Sequence, residues 1–341
     1  MNPRVPPRRT ATAALALTLI AAGLAGCTNP SDGRTTASHG GGGAETGGFP
    51  VTVENCGTRV TIAKRPERIV LVNNDALPNV EALGAVDRIV AITAKPAQGL
   101  FSDATVRALE RLTPLTTEQN ATGGAVVSQE SLLGMRPDLV VAPENAVDRK
   151  ALEAAGVPVY SPSAYCDDPP AEYRKAADFD RVWAELETTG RILGAQEAAS
   201  TAIEAAKREV AGGNGESAGT AAALYVSSGG ATLSPYGGPS MVTPVFAAAG
   251  LRNVYAASEE RVFDVSVEDL VAQDPRTIVL LTSGGDPAET ERAFLSAPGV
   301  SGLSAVREHR IITLEFPYTD PPSVLSARGP AELRQRLDAL P

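Results

Sequence analysis

The chain writes one phrase twice. VSQESLLGMRPDLVV occupies Val127–Val141, and VSVEDLVAQDPRTIV occupies Val265–Val279, 138 positions later. Val, Ser, Glu, Leu and Pro recur at the same offsets, and each copy ends in a β-branched pair, Val140-Val141 or Ile278-Val279. The physical reading is the same for both. Ser caps a helix, and Glu two residues on sits in the first turn, where the helix dipole favours an acid. Leu132 and Leu133, or Leu270 and Val271, face the core. Pro then stops the helix and sends the chain into a buried parallel strand. Capped helices with proline stops are common, so the phrase alone also fits two unrelated helix–strand units. If the copies are equivalent, the fold contains two matching halves.

The start of the chain is of a different kind. Arg4, Arg8 and Arg9 precede an uncharged Ala/Leu-rich run to Gly26. A basic segment followed by a short apolar one reads as a secretory signal over residues 1–26, too short for a spanning helix. Arg8-Arg9 also fits a twin-arginine export signal. The run ends Leu24-Ala25-Gly26-Cys27, which resembles a bacterial lipobox. That resemblance implies cleavage before Cys27 and lipidation of its thiol, whereas an ordinary cleavage site with a chance Cys is the alternative. Residues 27–48 hold seven Gly and no Leu, Ile, Val or aromatic, so they cannot bury enough apolar surface to order themselves. They read as a tether spanning roughly 25 Å. The chain is expected to be extracytoplasmic and held on the cell membrane.

From residue 49 onward some 290 residues suggest two domains. The chain carries net charge −10, nearer −13 once the Arg-bearing leader is removed, and such acidity disfavours nucleic acid. Of three Cys, Cys56 and Cys166 remain once Cys27 is lipidated. In an oxidising compartment an even pair reads as a disulfide, with two unpaired buried thiols as the alternative.

Periodicity divides this body into three. VTVENCGTRVTI (51–62) alternates around Asn-Cys-Gly and predicts a hairpin. Strand-length runs at 68–72, 88–92, 138–142 and 157–160 alternate with helical patterns at 76–83, 128–135 and 148–155, giving an α/β lobe over 49–177. Residues 178–212 lack Pro and keep helical spacing, predicting two successive helices, the second over 196–211. Alternation restarts over 213–341, with strands at 221–226, 277–281 and 310–314 and helices at 241–249, 266–272, 288–295 and 331–340.

Several stretches resemble one known family. RPERIVLVNNDALPNVEALGAVDRIVAI (65–92), SQESLLGMRPDLVV, GRILGAQEAA (190–199), AAAGLRNVYA (247–256), VSVEDLVAQDPRTIVLL and AVREHRIITLEF resemble, in order, the ABC-transporter substrate-binding proteins of the iron-siderophore, haem and cobalamin class. The resemblance implies two Rossmann-like α/β lobes with mostly parallel sheets, joined by a long rigid helix, with a ligand cleft between them. It implies a monomeric periplasmic binding protein that delivers a metal chelate, foremost a ferric siderophore, to an ABC permease dimer driven by its ATPase. A cobalamin or haem carrier of the same fold is the alternative, as is a ligand-sensing lipoprotein. It also implies that Glu130 and Glu268, one per lobe, meet arginines on the two permease subunits. Pro78 and Asn79 depart from the family pattern, and the helix there is expected to start late.

In open α/β sheets ligands bind beyond the carboxyl ends of the strands. That rule nominates Asn73, Asn74, Asp75, Lys95, Phe101, Asn145 and Tyr165 in the first lobe, and Ser228, Tyr236 and Tyr318 in the second. Each Tyr could equally be ordinary half-buried packing. Lys95, Arg107 and Arg328 could complement an anionic chelate or simply be solvated. The two His, His39 and His309, form no cluster with metal-ligand spacing, so neither a resident metal nor a cofactor is expected. G-x-S-x-G, H-E-x-x-H and a P-loop are all missing from the sequence, and an enzyme is not expected.

Overall fold

The computed structural model describes residues 48–119, 125–212, 218–227, 232–283 and 286–341. The leader, Cys27, the tether up to residue 47, and Ser228 lie outside the described residues. No helix among the described residues is long and apolar enough to cross a membrane.

The body opens on the hairpin, β1 (Val51–Asn55) against β2 (Thr58–Ile62). Its two turn residues, Cys56 and Gly57, both take positive φ, 50° and 72°, as a two-residue turn between twisted strands requires. The first lobe follows with β3 (Ile69–Leu71), α1 (Leu77–Ala82), β4 (Ile89–Ile92) and α2 (Asp103–Glu110). A short ribbon, β5 (Glu118–Gln119) and β6 (Ala125–Val126), leads to α3 (Gln129–Gly134), β7 (Leu139–Val141), α4 (Arg149–Ala154) and β8 (Val159–Tyr160). The four main strands are parallel and ordered β4-β3-β7-β8.

Two helices then run in succession, α5 (Asp180–Leu193) and α6 (Gln196–Ala211). The second lobe contains β9 (Gly219–Val226), β10 (Leu233–Pro235), α7 (Val242–Ala248), β11 (Leu251–Asn253) and α8 (Val267–Gln273). It ends with β12 (Thr277–Thr282), α9 (Pro287–Ser296), α10 (Ser304–Arg307), β13 (Ile311–Glu315) and α11 (Val324–Asp338). Strand β9 runs parallel to β11 and β12, and β12 parallel to β13, while β10 joins β9 antiparallel.

Both lobes therefore place their parallel strands in the spatial order second, first, third, fourth. The duplicated phrase supplies the same part in each: α3 leads into the third strand β7, and α8 into the third strand β12. Ser128 and Ser266 cap these helices by accepting from the N–H groups of Ser131 and Asp269. Leu132 and Leu270 are fully buried in their cores, and Leu133 packs against the first of these. Leu133 is half-buried and Val271 is exposed, because helices this short present little more than one inward position per turn.

Helix α5 ties the halves together. Its first half puts Val182 and Leu186 into a cluster with Met241 and Ala327 of the second lobe. Its last turn puts Ile192 and Leu193 into the core of the first. A second tie runs through Asn79, which the sequence marks as a departure. Helix α1 starts at Leu77, not late, and tolerates Pro78 because a first-turn N–H has no helical partner to lose. Asn79 is buried, donates to the Pro322 carbonyl (3.3 Å) and accepts from the N–H of Val324 (3.1 Å), latching α1 to the start of α11. That latch and the Ser323–Ser326 capping box set the start of α11 seven residues ahead of the expected Ala331. Pro330 sits inside this helix, behind Gly329, where a Cβ would collide with the Tyr318 carbonyl oxygen.

Leu186 is fully buried in the cluster that joins the lobes. Leu186→Ala should lower the free energy of unfolding by about 2–5 kcal/mol in urea titration. A loss below about 1 kcal/mol would mean that the lobes hold together without this contact.

Candidate functional site

Loops that follow the parallel strands of the two lobes converge on one arginine. Arg261, on the segment after β11, forms an ion pair with Asp320, on the segment after β13. Asp320 is only 1% exposed in its side chain and also accepts from the Met241 N–H at 3.1 Å. The Arg261 guanidinium lies 5.0 Å from the ring centre of Tyr165, after β8, and 6.0 Å from that of Tyr236. Phe316 packs beside Tyr236, with ring centres 5.9 Å apart. Asp75, after β3, lies beside the Tyr165 hydroxyl and faces Arg261. Asp75 and Tyr165 of the first lobe thus face Arg261, Asp320 and Tyr236 of the second across the cleft.

The electrostatics follow from burial. Desolvation, the largest single effect, works against the Arg261 charge, but Asp320 together with Tyr165 and Tyr236 outweighs it and the pKa rises. Burial pushes the hydroxyls of Tyr165 and Tyr236 well up, so both remain neutral donors. Burial pushes the Asp75 carboxyl up to about 6, against the opposing effects of the Tyr165 hydroxyl and of Arg261.

Each half of this cluster has a support. On the second-lobe side, Gly237 and Gly238 form a seat for the Arg261 segment. Their N–H groups donate to the carbonyls of Arg261 (3.0 Å) and Ser258 (3.1 Å). A Cβ at Gly237 would strike the Glu260 carbonyl, and one at Gly238 the Ala256 carbonyl. On the first-lobe side, residues 161–166 are held from several directions. Glu185 of α5, buried and with its pKa raised by that burial, accepts from the Tyr160 hydroxyl (2.6 Å) and the Ser163 N–H (3.1 Å). Arg149 donates to Ser161 Oγ and to Asn55 Oδ1, each at 2.9 Å. Cys166, next to Tyr165, is bonded to Cys56 in the hairpin turn, with Cα atoms 5.1 Å apart.

Of the residues nominated from sequence, the structure brings Tyr165 and Tyr236 together with Asp75. Others are engaged elsewhere. Lys95 turns its ammonium to the Glu110 carbonyl at the end of α2 (2.5 Å), because that helix terminus offers a free acceptor. Phe101 packs on the first-lobe core. Tyr318 faces α11, where burial and then Glu332 and Glu315 raise its pKa. Arg107 reaches its own-helix Asp103 at 3.9 Å. Asn73 takes φ 61° and accepts from the Asp75 N–H (3.1 Å), so its side chain shapes the loop. Asn74 donates to the Lys95 carbonyl (2.9 Å), leaving its buried Oδ1 without a partner among the described residues. Asn145 is exposed on a turn after β7. Glu130 and Glu268 are both exposed in the first turns of α3 and α8. Arg261, Asp320 and Phe316 went unnominated. Nothing local marks the arginine or the aspartate, but the Gly-Gly pair before Pro239 was a signal that another backbone approaches closely there.

Beside Arg261 opens a cavity of about 270 Å³, lined by Ser163, Asp167 and Tyr173 of the first lobe and Pro239, Glu260 and Arg261 of the second. A larger groove of about 530 Å³ runs along α6 beside Ala82, Val324 and Arg328. It shares no residue with the Arg261 cluster and gathers no comparable set of buried polar groups, so the interlobe cleft is the better candidate.

Residues 69–318 match the family described as Periplasmic binding protein. The chain belongs to that family. A crystal structure from the ABC-type Fe3+-hydroxamate transport system of Saccharomonospora viridis superimposes with TM-score 0.77 at 33% identity, covering 85% of this chain and 99% of that one. The uncharacterized ABC transporter substrate-binding lipoprotein YvrC of Bacillus subtilis is 27% identical over 201 residues, 57% of this chain and 55% of that protein. A cobalamin-binding protein of Halobacterium salinarum is 25% identical over 289 residues, 81% of this chain and 70% of its own length.

The geometry generates two expectations. Folded Asp75 keeps its proton to about pH 6, above the ordinary carboxylate value of about 4. The stability linked to that proton is complete below about pH 4 and is lost as pH rises through about 6. Asp75→Asn should flatten the fall of the thermal midpoint over that window, and curves parallel to wild type would contradict the raised carboxyl. Removing the disulfide, which closes a 110-residue separation, should lower unfolding stability by at most about 4–5 kcal/mol. Calorimetry on the Cys56→Ser/Cys166→Ser variant measures this, and no change in midpoint would show that the hairpin and the Tyr165 loop are held without it.

Proposed function

We propose that this chain is the extracytoplasmic receptor of an ABC importer, holding a metal chelate, foremost a ferric siderophore, between its lobes. The observation that carries this reading is the convergence of loops from both lobes on Arg261, with three aromatic rings and two carboxyls around it. Such a site is concave, built half from each lobe, and rich in flat surfaces and neutral hydroxyl donors, which suits a bulky wrapped metal better than a bare ion. The likeness to a protein of an Fe3+-hydroxamate transport system supports the siderophore reading. The likeness to a cobalamin-binding protein supports the second reading, a corrinoid carrier.

Lipidation at Cys27 would hold the receptor on the membrane. Glu130 and Glu268 would then dock it. They occupy the same place in equivalent helices of the two lobes, so a pseudo-symmetric receptor would present one carboxylate to each subunit of a two-fold permease. Because both are exposed, bringing them to arginines involves little desolvation.

Reversing both charges, Glu130→Arg with Glu268→Arg, should leave chelate affinity in titration calorimetry near wild type while uptake of labelled ligand by whole cells is lost. If affinity collapses instead, those carboxylates serve the cleft or the fold. Unimpaired uptake would remove the docking role.

A further inference from the structure

The charges lining the cleft are not evenly available. Arg261 is matched by the buried Asp320. Arg174 is paired with Asp168. Arg181 spends its guanidinium on backbone carbonyls, including those of Pro239 (2.6 Å) and Lys175 (2.7 Å). Among the described residues, Asp75, Asp167, Glu259 and Glu260 have no ion-pair partner. The segments not described within the body, 120–124, 213–217, 228–231 and 284–285, read NATGG, GNGES, SGGA and GG and add no lysine or arginine. Of the three cations nominated for an anionic ligand, Lys95 and Arg107 are engaged at the first-lobe helix α2, and Arg328 lines the separate groove along α6.

We propose that this cleft takes a chelate of zero or positive net charge and turns away chelates that arrive as polyanions, with Asp75 reading the positive charge where there is one. This rests on the chelate-receptor reading above. A polyanion would have two ways to find a cation. It could enter beside unpaired carboxylates with no counter-charge, or draw Arg261 away from Asp320. The second leaves a carboxylate that is 1% exposed without its partner, which is strongly unfavourable. An uncharged chelate meets neither obstacle. It finds the partly exposed rings of Tyr165 and Phe316, with Tyr236 buried behind them, and the neutral hydroxyl of Tyr165. A cationic chelate gains Asp75 as well, whose only facing cation, Arg261, is already matched. Uncharged ferric trihydroxamates and corrinoids share the first property, and an amine-bearing ferric trihydroxamate has the second. Ferric tris-catecholates, as trianions, and haem, with its two carboxylates, have neither.

Titration calorimetry of the mature chain against five probes tests this: an uncharged ferric trihydroxamate, a monocationic one, cyanocobalamin, haem and a ferric tris-catecholate. The expected result is binding of a trihydroxamate or of cyanocobalamin, with haem and the tris-catecholate weaker by ~100-fold or more. Which of the first three binds separates the siderophore from the corrinoid source. Asp75→Asn should lower the affinity ratio of the cationic to the uncharged trihydroxamate by ~10-fold, without admitting the trianion. Should that variant fold poorly, the wild-type salt dependence gives the same information: added salt should weaken the cationic probe and leave the uncharged one unchanged. Tight binding of the tris-catecholate or of haem overturns charge selection while leaving the receptor reading in place. Failure of all five probes to bind overturns both.

Discussion

The cleft depends on a single buried ion pair. Asp320 lies out of reach of water and would be intolerable as a charge were Arg261 not against it. Arg261 in turn is kept in place by aromatic faces from both lobes, Tyr165 from the first and Tyr236 from the second. One guanidinium therefore both balances a buried charge and lies across the gap between the lobes. Planar, permanently charged arginine suits this position in a way that lysine would not, since it stacks on rings while pairing with a carboxylate at its edge.

The remainder of the framework holds that pair's surroundings still. Helix α5 puts one end into each lobe's core, Asn79 latches α1 to α11, and the Ala177 N–H donates to the Gly238 carbonyl (2.9 Å) across the same boundary. The Tyr165 loop has its own support in Glu185, Arg149 and the disulfide. A carboxylate buried as Glu185 is tolerated because a hydroxyl and a backbone N–H satisfy it. Preorganisation of this kind reduces the ordering that ligand binding must bring about.

Where sequence reading and structure part, the reasons are physical. The hairpin, the α5–α6 pair and every parallel strand but β11, which the sequence reading did not anticipate, follow from local periodicity and breakers and lie within a residue or two of expectation. Helix α11 does not, because Pro330 reads as a start although its actual start is fixed by Ser323 and by Asn79 from 245 residues away. Tyr318 also looks like a cleft residue by its place after β13, yet it turns to α11, over Gly329. Lys95 looks like a free cation and is taken up by a helix end. Following a strand's carboxyl end gives the right loops and says nothing about which way each side chain points.

The sequence by itself determined the pseudo-duplication, because capped helix, proline stop and buried strand are local signals that survive repetition at a distance of 138 positions. It also determined the connection of the halves, through helical spacing on both sides of Gly194, and the position of one exposed acid on each half. Only the tertiary structure decided which charges in the cleft are free. Arg261 and Asp320 lie 59 positions apart and Asp75 far from both, so their mutual neutralisation depends on how the two lobes come together and not on any spacing along the chain.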